Sequence, residues 1–68
     1  MHEGWICVFT TSYAHIAELV HAHLLANDLQ AVVLNKRDSS YLAFGGVEVY
    51  VPSSDRLTAE ALILSLSL

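Results

Sequence analysis

Basic side chains are scarce in this 68-residue chain. Lys36, Arg37 and Arg56 are its only lysines and arginines, against seven acidic residues, for a formal net charge of −4. Neutralising a phosphate backbone takes a basic patch, so a nucleic-acid partner is not expected. Cysteine is scarcer still: Cys7 stands alone, which excludes an internal disulfide and leaves no cysteine pair for a structural zinc. Long apolar runs are missing too. The C-terminal run Ala59–Leu68 is apolar but about half the ~20 residues a membrane helix needs, and no membrane partner is expected. The opening MHEGWICV has neither a basic segment nor a long apolar core, so it does not read as a signal peptide, and a reduced, cytoplasmic location is expected. Catalytic motifs are absent as well. There is no G-x-G-x-x-G, no P-loop and no pair of carboxylates at a useful spacing. The pairs Ser39-Ser40 and Ser53-Ser54 lack the strand-elbow-helix setting of a hydrolase serine. The expected reading is a protein without enzymatic activity and without a cofactor.

Apolar residues are what the chain has in quantity: 54% of it, with only 15% charged. That excludes disorder. Sixty-eight residues make a single domain, 1–68, of a size whose one core is marginally stable. Apolar surface that so small a monomer cannot hide points to a partner, and a homo-oligomer is the expected remedy.

Taken in order, residues 5–10 (WICVFT) are β-branched and aromatic, a buried strand. Thr10-Thr11-Ser12 offers a hydroxyl for a helix N-cap. From Tyr13 to Asn27 the apolar spacing is helical, placing Tyr13, Ile16, Leu19, Val20, His23, Leu24 and Asn27 on one side and Glu18, Ala22 and Leu25 opposite. Asn27-Asp28 ends the helix, since both residues tolerate the left-handed conformation. Residues 30–35 form a second strand centred on Val32-Val33-Leu34, followed by a loop that Gly45-Gly46 closes. In Val47-Glu48-Val49-Tyr50-Val51 three valines take one face and two polar residues the other, until Pro52 closes the strand. Ser53, Ser54 and Asp55 then open a second helix with the stripe Leu57, Ala61, Leu64 and Leu68. The ending LSLSL also fits period two, which leaves a short final strand as the alternative.

The order β-α-β-β-α has no repeat and no linker. A right-handed β-α-β crossover with the third strand inserted between the first two gives an α+β fold. It has a three-stranded sheet ordered 1-3-2 with two helices on one face, a ferredoxin-like arrangement lacking its last strand. With Ile6, Val8 and the valines towards the helices, Trp5, Cys7, Phe9 and Tyr50 gather on the uncovered face, an aromatic patch of the kind found at interfaces. A homodimer is expected, either face to face or through the open edge of the first strand.

The four histidines do not make a metal site. His21 and His23 diverge by about 200° on a helix, His15 and His23 lie more than two turns apart, and no cysteine or carboxylate completes a set. His23 reads as a partly buried histidine with a backbone partner. Cys7, mid-strand, has no neighbour that would lower its pKa, and burial accounts for it. The loop after the second strand is different. Asn35, Lys36, Arg37, Asp38, Ser39, Ser40 and Tyr41 combine two of the three basic residues with hydroxyls, an amide and a phenol. Lys36 and Arg37 can attract a small anion, Ser39 and Ser40 can donate to it, and Tyr41 can stack on it. A solvated loop in which Asp38 caps its own turn, with Arg37 paired to Asp38 or Glu48, explains the same residues.

The segments AVVLNKRDSSY and FGGVEVYVP, with WICVFTT before the helix and AELV and LLAN within it, resemble the small bacterial domains named as prokaryotic signal transducing proteins, a family of unknown function. The resemblance spans residues 5–60 and is most specific over residues 35–41. It implies kinship in fold with the PII-like signalling proteins, ferredoxin-like domains that commonly oligomerise. Three positions depart from the family pattern: His23 stands where an aliphatic residue is usual, Leu25 where a polar one is, and Asp28 where glycine is. The first two imply a rotated helix face or a contact with a partner. The expected function is therefore a small regulatory binding module that takes an anionic ligand or a protein partner at residues 35–41. The alternative is a purely structural interaction domain, homodimeric and without a small-molecule ligand.

Overall fold

The computed structural model describes residues 4–35 and 46–66. Among the described residues the elements run β1 (Trp5–Thr11), α1 (Ala14–Ala26), β2 (Val32–Asn35), β3 (Val47–Pro52) and α2 (Arg56–Ser65), with a 3₁₀ turn, Ser53–Asp55, before α2. The fold is α+β. β3 lies in the middle, antiparallel to both β1 and β2, so the sheet order is β1-β3-β2. β1 and β2 are consequently parallel, with α1 as their crossover. As far as Leu66 the ending is helical, since Leu66 still holds a right-handed helical backbone; Ser67 and Leu68 lie outside the described residues.

The valine alternation of β3 organises the core. Val47, Val49 and Val51 are at most 1% exposed and form one cluster with Ala17, Val20 and Leu24 of α1 and Ala59 of α2. Both helices therefore sit on the valine face, and alanine stands on each helix where packing against this cluster is complete. The molecule is a thin slab of 35 × 28 × 14 Å, a sheet layer and a helix layer.

Each helix is turned from its expected orientation. On α1 the buried line is Ala17, Val20 and Leu24, while Tyr13 and Leu19 are exposed. The inward face is thus rotated by about 60° towards Ala17 and His21. On α2 the displacement is complete. Leu57, Ala61 and Leu64 face out, and Ala59, Leu62, Ile63 and Leu66, on the opposite side of the helix, pack on the core. Leucine-rich α2 has apolar residues on both sides, so spacing by itself does not select one.

The ends of α1 are built as follows. Thr11 Oγ1 accepts from the Tyr13 N–H at 3.2 Å, one residue outside the helix, instead of capping an N–H in the first turn. At the other end Asp28 takes the left-handed conformation (φ 69°), its N–H donates to the Leu25 carbonyl, and the Leu29 N–H reaches the Leu24 carbonyl at 3.1 Å. This is a Schellman closure, with Leu29 packed beneath it against the core. Asn27 adds a side-chain bond from Nδ2 to the His23 carbonyl. Gly46, entering β3 at φ 145°, is required: a Cβ there would lie 2.6 Å from the Thr11 carbonyl oxygen.

Candidate functional site

The sheet has a second face on which no described helix or strand packs. Its composition follows from register, because directly opposed residues of antiparallel strands share a face. Tyr50 is opposed by Cys7 on β1 and Val32 on β2; Glu48 is opposed by Thr10 and Leu34; Pro52 is opposed by Trp5. Trp5, Val32, Leu34 and Tyr50 line a shallow groove of about 220 Å³. The residues that expose an apolar face here are thus drawn from all three strands.

Trp5, Cys7 and Tyr50 occupy the face as expected, but Phe9 does not. Register slips between Cys7 and Phe9, leaving Val8 as a bulge with no partner on β3. The extra residue reverses the alternation after it, so Val8 and Phe9 both pack on the helix side and Phe9 pairs with Val49. Phe9 belongs to the core periphery. In its place the face gains Val32 and Leu34, from the apolar centre of the second strand. The signal that could have found them is the alternation of β2 against β3: Val33 opposes buried Val49, so Val32 and Leu34 must point the other way.

Polar groups from β1 and β3 stand on this apolar ground. The Tyr50 hydroxyl donates to Glu48 Oε1 at 2.9 Å, two residues away on the same side of the strand. That bond holds the Tyr50 phenol above its ordinary value of 10.0, helped by desolvation and by the nearby Glu48 charge. Cys7 is an exposed thiol, in contact with the Phe9 carbonyl and the Thr10 hydroxyl at 3.5 and 3.6 Å. The expected burial of Cys7 is therefore corrected: it is displayed on the open face of an edge strand.

Of the expected loop site, Asn35 ends β2 and is exposed. Lys36, Arg37, Asp38, Ser39, Ser40 and Tyr41 lie outside the described residues. The histidines are separated as the helix geometry requires. His21 Nε2 donates to the Ala31 carbonyl at 3.1 Å, tying α1 to the approach of β2. His23 meets the Ser65 hydroxyl at 3.5 Å, a weak link from α1 to α2, while Ser65 donates to the Leu62 carbonyl at 2.7 Å. The backbone partner expected of His23 thus belongs to His21. Among the described residues no three histidine, cysteine or carboxylate groups converge as metal ligands, and no helix is long and apolar enough to cross a membrane.

Compared with known proteins, the chain matches no family model, no curated protein and no solved structure.

Proposed function

We propose that this protein is a small regulatory binding module that works as a homodimer, joined through the open face of its sheet. The observation that carries the reading is the groove of Trp5, Val32, Leu34 and Tyr50, apolar side chains that the monomer's own helices leave on the far side of the sheet. A second copy suits it, because an isologous contact lets Trp5 of each protomer fill the groove of the other. Burying this face removes apolar area from water at a favourable ~25 cal/mol per Å². Among the described residues its carboxylate, Glu48, already holds a hydrogen bond from Tyr50 on the same face, which lowers the cost of desolvation.

Pairing through the edge of β1 is the weaker arrangement. The bulge at Val8 breaks the regular row of backbone groups that edge pairing needs, a common device for blunting an edge. The element order and the 1-3-2 sheet support a ferredoxin-like domain without its last strand, in line with the bacterial signal transducing domains that the sequence resembles. In this reading the module is cytoplasmic and non-catalytic, and residues 35–41 are its ligand- or partner-contacting segment.

Sedimentation velocity tests the dimer. The wild-type chain is expected at twice its chain mass, and Val32→Glu, at a position 41% exposed, at the monomer mass with an unchanged fold. Trp5 is the only tryptophan, so its emission is expected to shift to the red as the wild type is diluted. A monomer mass at every concentration overturns the reading.

A further inference from the structure

We draw no further inference here: the strongest candidate, the exposed Cys7 thiol beside Tyr50 and Thr10 on the open face of the sheet, belongs to the site already described and is a lone cysteine beside which, among the described residues, no second feature points to a ligand.

Discussion

Asp28 shows how much a single residue can disclose. It ends α1 in the left-handed conformation at φ 69°, where a Cβ crowds the backbone and glycine does not. Glycine takes that conformation without the crowding, so the position favours it on steric grounds alone. Asp28→Gly is expected to stabilise the fold by about 0.5–1 kcal/mol, read as a higher urea midpoint at unchanged slope. Tyr50 makes a pH-dependent prediction. Its phenol is raised above 10.0 because ionisation would lose the bond to Glu48 and set a second negative charge beside it. A raised folded value means the fold prefers the protonated phenol. Its contribution to stability is complete below pH 10.0 and is lost as pH climbs from there through the folded value. Spectrophotometric titration is expected to show a phenol titrating above 10.0 that is absent in Tyr50→Phe and moved down in Glu48→Ala. The local chemistry of Asn27-Asp28 was legible in sequence. The Tyr50–Glu48 bond was not, although both were placed on one face, because a side-chain bond along a strand depends on rotamers.

At the scale of elements, strands were easier to read than helix faces. The valines of β3 have polar neighbours on either side, so alternation leaves a single inward face. α1 and α2 have apolar residues nearly all round, and their orientation is set by what they meet. α2 turns small Ala59 into the cluster with the valines, brings Leu62, Ile63 and Leu66 around it, and leaves Leu57 and Leu64 outside. Two substitutions check this. Leu24→Ala, at a fully buried position, is expected to cost about 2–5 kcal/mol, comparable with the whole stability of a domain this small. Leu64→Ala is expected to change monomer stability by less than about 0.5 kcal/mol. Thermal denaturation at low concentration measures both, and equal losses would contradict the orientation of α2. β1 carries the other misreading. One extra residue at Val8 moved Phe9 from the open face to the core, and nothing in WICVFTT announces a bulge.

Across the whole molecule, a slab 14 Å thick has two broad faces and little interior, and apolar side chains remain on both. Trp5, Val32, Leu34 and Tyr50 lie on the sheet side; Leu57 and Leu64 lie on the helix side. The surplus of apolar residues was evident from composition, and with it the expectation of a partner. The sequence by itself determined the order of elements, the 1-3-2 sheet and the inward valines of β3. Those follow from short-range periodicity, turn chemistry and the handedness of a β-α-β crossover, all of which act along the chain. Only the tertiary structure decided which stripe of each helix is buried, which side of β1 Phe9 takes, and that Val32 and Leu34 join Trp5 and Tyr50 in one groove. These depend on register between strands and on the closest packing of helix against sheet. Residues far apart in sequence set both, and an apolar pattern with two acceptable faces leaves the choice to them.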